Sequence, residues 1–149
     1  MTFSDFIFNG KLGDLSVGGT TYGKTNLDLV QEEDGDIPGL YEVLNEEQYF
    51  QVSTIKNTIV GITFDFEYDT EKSYPIHYQE NNYRIGFNTA YADFVAFLET
   101  SHIDFKSTTE EGNHTIFISE SKLNLLFYNN LYKASVFDLD LYNTLTKNK

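Results

Sequence analysis

Apolar and polar side chains alternate with a period of two through much of the middle of this chain. The clearest run is Ile59–Tyr68, where Ile62, Phe64, Phe66 and Tyr68 point one way and Thr63, Asp65 and Glu67 the other. Alternation with acids on one side predicts a strand in a half-buried antiparallel sheet. Phe50 and Val52 carry the pattern through Tyr49–Ile55, and Lys56-Asn57-Thr58 reads as the hairpin turn between the two strands. Leu40–Leu44 is a shorter strand ahead of them, after the Pro38-Gly39 breaker. A first, weakly alternating strand is expected at Thr2–Phe8. Tyr83–Phe87 reads as a short strand or an extended entry to a helix. His114–Ser119, Lys122–Tyr128 and Tyr132–Leu141 read as three further strands, joined at Glu120-Ser121 and Asn129-Asn130.

The helical period is clearest in Thr89–Thr100. Tyr91, Phe94, Val95, Phe97 and Leu98 form a broad apolar stripe, and Asn88 or Thr89 can cap it. Thr20–Glu33 is ambiguous. Thr20 or Thr21 can cap a helix carrying Tyr22, Leu27 and Val30, whereas Gly23 opposes one. Gly10–Gly19 and Asp69–Pro75 read as loops, and Thr144–Lys149 as a frayed tail. The pattern predicts an α+β fold, a mostly antiparallel sheet with helices packed on one face, in a single domain over residues 1–149.

The halves follow a similar plan, suggesting tandem helix-plus-three-strand units at about 20–72 and 89–142. Residues 49–68 set against 122–141 pair Phe50 with Leu123, Val52 with Leu125, Asn57 with Asn130, Phe64 with Phe137 and Asp65 with Asp138. The alternative is that unrelated amphipathic hairpins share a period of two.

Charge changes the picture most. The net charge is −13, and residues 1–72, with fourteen acids and four lysines, carry −10 of it. Between Thr25 and Ile55 lie Asp28, Glu32, Glu33, Asp34, Asp36, Glu42, Glu46 and Glu47 with no Lys or Arg. Such a field repels nucleic acid and anionic lipid and steers basic proteins inward. Apolar residues at 40% suffice for a core, so the charge does not imply disorder. The absence of cysteine excludes disulfides and thiolate metal sites. A soluble, cytoplasmic protein is expected, because the N-terminus does not resemble a signal peptide and no apolar run approaches the roughly 20 residues of a membrane span.

Candidate chemistry is sparse. Around Glu32–Asp36, an EF-hand frame with Gly35 at its sixth position puts Val30 first and Tyr41 twelfth, and neither is a suitable ligand. His77, His102 and His114 match no metal or catalytic spacing. Gly18–Thr25 fits the spelling of a phosphate loop, but it lacks a good preceding strand and runs into acids. Asp65 and Glu67, with Asp138 and Asp140, can place four carboxylates on one sheet face, either as a binding surface, as solvated acids, or as the carboxylate pair of a glycosidase-like enzyme. Tyr41, Tyr49, Tyr68, Tyr74, Tyr78 and Tyr83 lie among or beside acids, and tyrosine among carboxylates suits recognition of a Lys/Arg-rich partner.

A small, acidic, cysteine-free α+β chain rich in Tyr and Phe resembles the immunity proteins of bacterial toxin systems. Its repeated helix-then-sheet layout also resembles the beta-lactamase inhibitory protein type of fold, from which it departs in having no cysteine and no tryptophan. The first resemblance implies a bacterial protein-binding inhibitor that neutralises a basic toxin domain. Glu32, Glu33, Asp34, Asp36, Tyr41, Glu42, Glu46, Glu47, Tyr49, Asp65 and Glu67 are the partner-binding candidates. No catalytic residue, cofactor, metal, nucleic acid or membrane partner is expected, and the oligomeric state stays open. The alternatives are a nucleic-acid-mimicking inhibitor of a DNA-binding protein, or a small enzyme using the carboxylate pair or the glycine-rich loop.

Overall fold

The computed structural model describes residues 3–24, 27–44 and 48–147. The chain opens with α1 (Phe3–Asn9), where a strand was expected. Phe3, Phe6 and Ile7 recur at helical spacing and are all buried, so tertiary packing decides a segment too short for its period to decide. Gly10, at φ +69°, ends the helix, and its N–H bonds the Phe6 carbonyl (3.0 Å). The glycine-rich stretch forms a small hairpin, β1 (Lys11–Leu12) and β2 (Leu15–Ser16). The described part of Thr20–Glu33 contains no helix. Thr20 bridges to Thr58, Gly23 turns at φ +78°, and the segment ends in β3 (Asp28–Gln31).

The next three strands follow the alternation: β4 (Gly39–Leu44), β5 (Tyr49–Ile55) and β6 (Thr58–Asp65). β6 stops earlier than its pattern, because the Asp65 side chain accepts from the Glu67 N–H (2.8 Å) and turns the chain. The expected loop then gives way to the hairpin β7 (Ser73–Tyr78) and β8 (Asn81–Gly86). α2 (Tyr91–Thr100) carries the expected stripe, but its N-cap is Ala90. The Thr89 hydroxyl, expected to cap it, instead accepts from the Gly86 N–H (2.9 Å). β9 (Phe105–Glu110), almost wholly exposed and polar, has no apolar alternation to announce it. β10 (Asn113–Ile118) and β11 (Leu123–Tyr128) fall where the pattern put strands, while β12 (Asn130–Phe137) stops four residues before the expected Leu141. The chain continues as α3 (Leu139–Thr146) instead of fraying, with Asp138 as N-cap accepting from the Leu141 N–H (3.0 Å).

β3, β4, β5, β6, β12, β11, β10 and β9 form one antiparallel sheet in that spatial order. Two four-stranded meanders run inward from opposite edges and meet at the β6–β12 ladder. On one face the register lines up Tyr41, Val52, Ile62, Val136, Leu123 and Ile118, with Val43, Phe50, Phe64, Ala134, Leu125 and Ile116 in the next row. α1, the β7–β8 hairpin and α2 cover this face, contributing Phe3, Phe6, Ile76, Ile85, Phe94 and Leu98 to one core. Phe64 is the aromatic hub, with ring centroids at 4.9 Å from Phe3, 5.0 Å from Phe66 and 5.3 Å from Tyr74.

The opposite face is uncovered by this layer. α3 lies apart from the other helices. None of its own residues is fully buried, but it packs against one end of β5 and β6 on this face, with its Tyr142 ring 5.7 Å from Phe137, whose side chain points away from the core-facing Val136. The helices therefore do not all serve one face. Likewise, the offset that pairs Phe64 with Phe137 equates a side chain of 0% exposure with one of 40% exposure on the other face. A slip of one residue inverts a strand's faces, so this pair joins opposite faces, whereas the same offset keeps Phe50 with Leu123 and Val52 with Leu125 on the core-facing side. No helix among the described residues is long and apolar enough to cross a membrane.

Phe64→Ala should therefore lower unfolding free energy by about 3–5 kcal/mol, and Phe137→Ala by about 1 kcal/mol. Denaturant unfolding of the two variants measures the difference. Equal losses would mean that the faces are misassigned.

Candidate functional site

The part of this opposite face that α3 leaves open is crossed by a row of side chains that the register fixes strand by strand. It runs Asp28, Glu42, Gln51, Thr63, Ser135, Asn124, Phe117, Lys106, and each is at least partly exposed. Thr63 and Ser135 hydroxyls bond at 3.0 Å over the central ladder. In the next row Asp65 stands opposite Lys133, Lys133 opposite Leu126, and Leu126 opposite Thr115. The face is thus acidic at the β3–β6 side and carries its lysines, Lys133 and Lys106, on the other half.

A compact polar cluster sits on the acidic half. Gln51 Nε2 donates to the Tyr49 hydroxyl (2.9 Å), which donates to Glu42 Oε2 (3.0 Å). The Tyr49 ring lies 5.9 Å from that of Tyr68, which is 48% exposed. Burial holds the Tyr49 hydroxyl above its ordinary 10.0; Glu42, as bonding partner and as negative charge, and the Asp65 charge push the same way, while the Gln51 bond opposes them. At the edge, Asp28 stands directly opposite Glu42. Like charges in that position repel across the strands.

Tertiary structure divides the acidic stretch. Glu42, Tyr49 and Asp65 come together. Glu32, Glu33, Asp34 and Asp36 lie at the Gly39 end of β4, about 10 Å along the strand from Glu42 at 3.3 Å per residue. There a Glu33 carboxylate oxygen accepts from the Lys56 N–H (2.5 Å), Asp34 and Ile37 exchange backbone bonds, and the Tyr142 hydroxyl donates to the Asp36 carbonyl (2.6 Å). That group ties two hairpin ends and α3 together. Tyr41, expected as a surface anchor, faces the core and packs against it, because it pairs with Val52 in the buried row. Tyr74, Tyr78 and Tyr83 also pack against the core. Glu46 and Glu47 lie outside the described residues.

The four-carboxylate face does not form. Glu67 lies beyond the end of β6, Asp138 is engaged as the cap of α3, and Asp140 is inside that helix. At the glycine-rich loop, Lys24 pairs with Asp14 (3.2 Å), and the chain runs on to β3 where a phosphate loop would open a helix; Thr25 lies outside the described residues. His114 stacks on Tyr91 (4.1 Å) and bonds the Thr109 hydroxyl (2.8 Å). No group of three or more His, Cys, Asp or Glu side chains suited to a metal ion occurs among the described residues.

Sequence reasoning missed a second feature. Glu67, Phe87, Glu111, Asn113, Tyr128 and Tyr132 line a cleft of about 560 Å3. These residues come from five separate segments, and no spacing in the chain relates them.

Tyr49 should titrate above 10.0 in a pH titration of 13C-labelled tyrosine followed by NMR, and Glu42→Gln should bring the midpoint down. An unfolded tyrosine ionises near about 10, so the proton bound more tightly in the folded state contributes stability that is complete below that pH and lost as pH rises towards the folded value. Tyr49→Phe should therefore remove part of the alkaline loss of stability. An unshifted Tyr49 midpoint would place Glu42 elsewhere. No known protein family, curated protein or solved structure matches this chain.

Proposed function

We propose that this chain is a protein-binding inhibitor, an immunity protein that neutralises a basic toxin domain, and that it binds through the acidic half of its uncovered sheet face. The supporting observation is the placement of Asp28 against Glu42 on that face, beside Tyr49 and Tyr68. A sheet built for stability alone gains from opposite charges at a directly paired position. Here two carboxylates share one, and a Lys or Arg from a partner relieves their repulsion.

Area and composition suit the same role. Seven inter-strand steps of about 4.8 Å and strands of about 20 Å give the whole face on the order of 700 Å2, and its acidic half less than half of that, so a standard complex burying roughly 800 Å2 per partner extends past the acidic half onto β12–β9. Leu44, Tyr49, Leu126 and Phe117 supply exposed or half-exposed apolar surface among the polar groups. With 23 acids and 10 basic side chains, most carboxylates have no internal cation available. Long-range attraction then speeds encounter with a basic protein and weakens with salt.

Tagged protein should retain a basic protein from a lysate of the source organism at low salt and release it at high salt, as read by mass spectrometry. Asp28→Lys with Glu42→Lys should slow association at least ten-fold, whereas Glu32→Lys with Asp34→Lys, at the other end of β4, should change it far less. Asp28→Asn alone should raise stability by a few tenths of a kcal/mol while slowing association. Failure to retain any basic protein removes the inhibitor reading, and displacement of the partner by DNA identifies that partner as a DNA-binding protein.

A further inference from the structure

We propose that the cleft beyond the ends of β6 and β11 is a binding site for an organic ammonium group. It takes the primary amine of a polyamine or of a lysine side chain. The cleft is separate from the row centred on Glu42 and Gln51, and the proposal does not depend on the inhibitor reading.

Two local devices build the site. The register of β11 on β12 shifts after Leu126, so that Leu126 opposes Lys133 and Phe127 opposes Leu131. Tyr132 is the extra residue of this bulge, and its carbonyl accepts from the Phe66 N–H (3.0 Å) on the neighbouring chain segment. Bulges re-aim side chains, and this one gives the Tyr132 side chain to the cleft wall. The second device is the β9–β10 turn. Glu111 and Gly112 both have positive φ, 52° and 84°, as a two-residue hairpin connection requires. The turn sets Glu111 at the cleft and lies close to the Tyr128 ring, whose Cε2 is 3.8 Å from where a Cβ on residue 112 would stand.

The lining specifies the ligand's charge. Phe87, Tyr128 and Tyr132 contribute aromatic side chains, Glu67 and Glu111 acidic ones and Asn113 an amide, and among the described residues no Lys, Arg or His takes part. Aromatic faces attract an ammonium within about 6 Å, and charge-assisted bonds to carboxylate supply orientation. An anion meets two like charges here. At about 560 Å3 the space exceeds a single small ion, so the carbon chain attached to the amine has room against the rings.

The test is an NMR titration of the 15N-labelled chain with spermidine and with Nα-acetyl-lysine methylamide. Sodium chloride at matched ionic strength and the Nζ-acetylated lysine analogue are the controls. Saturable shifts confined to Glu67, Phe87, Glu111, Gly112, Asn113, Tyr128 and Tyr132 are expected from both amines and from neither control. Glu67→Gln and Tyr128→Ala should each raise Kd at least five-fold. Tyr128 is 57% exposed, so its replacement leaves the core intact, and a thermal melt checks this. Glu32→Gln, at the far end of the sheet, should leave Kd unchanged. Tighter binding of spermidine assigns the site to free polyamines, and tighter binding of the lysine amide assigns it to a protein side chain. Shifts spread over all the acids and reproduced by sodium chloride overturn the proposal, as does equal binding of the acetylated analogue.

Discussion

The ladder between β6 and β12 is the constraint on which the rest of the structure depends. Each four-stranded meander ends there, and only that ladder makes one sheet of them. It sets Phe64 beside Ala134 and Ile62 beside Val136, so the two halves share a core. Close approach is part of the arrangement. At Gly61 a Cβ would lie 2.8 Å from the Phe137 ring, which crosses that position on the open face. Phe64 then carries the contact onward to Phe3 of α1 and Tyr74 of β7. An antiparallel sheet of this width needs a covered face to be stable, and a few aromatic side chains join that cover to its centre.

The same ladder creates the asymmetry between the two faces. Once Ile62, Phe64, Ala134 and Val136 face the covering layer, period-two geometry sends Thr63, Asp65, Lys133 and Ser135 to the other side. These side chains stay accessible and bond laterally, as Thr63 does to Ser135 and Tyr49 to Glu42. Stability resides in one face, leaving the other free to carry charge. The repulsion between Asp28 and Glu42 lies at the sheet edge, far from the aromatic hub, where it is least damaging to the fold.

Local departures from flat strand geometry shape the cleft. The bulge at Tyr132 and the positive-φ turn at Glu111 and Gly112 both border the same cleft. Departures from regular pairing require stabilisation from their surroundings, here the Phe66–Tyr132 backbone bond and the Asn113–Tyr128 pairing.

The sequence by itself determined the elements whose burial pattern repeats over several residues: β4, β5, β6, β10, β11 and α2, and with them the α+β class. It also determined the excess of acid over base and where along the chain it falls. Tertiary structure decided the remainder. α1 is seven residues long, too short for its period to outweigh a strand reading, and only packing on Phe64 and Tyr74 makes it a helix. β9 is exposed and carries no alternation, so its partner β10 defines it. Asp138 has the spelling of a strand acid and the position of a helix cap. The acidic stretch is continuous in sequence yet divided in space, because Glu42 stands three residues, about 10 Å, along β4 from the Gly39 end. Glu42 joins Tyr49, Tyr68 and Asp65 through strand pairing and a turn, while Glu33 is spent on the Lys56 backbone. Local periodicity records which side chains need burial. Which acids and rings share a surface depends on register and on contacts between distant segments, and those are fixed only when the sheet closes over its core.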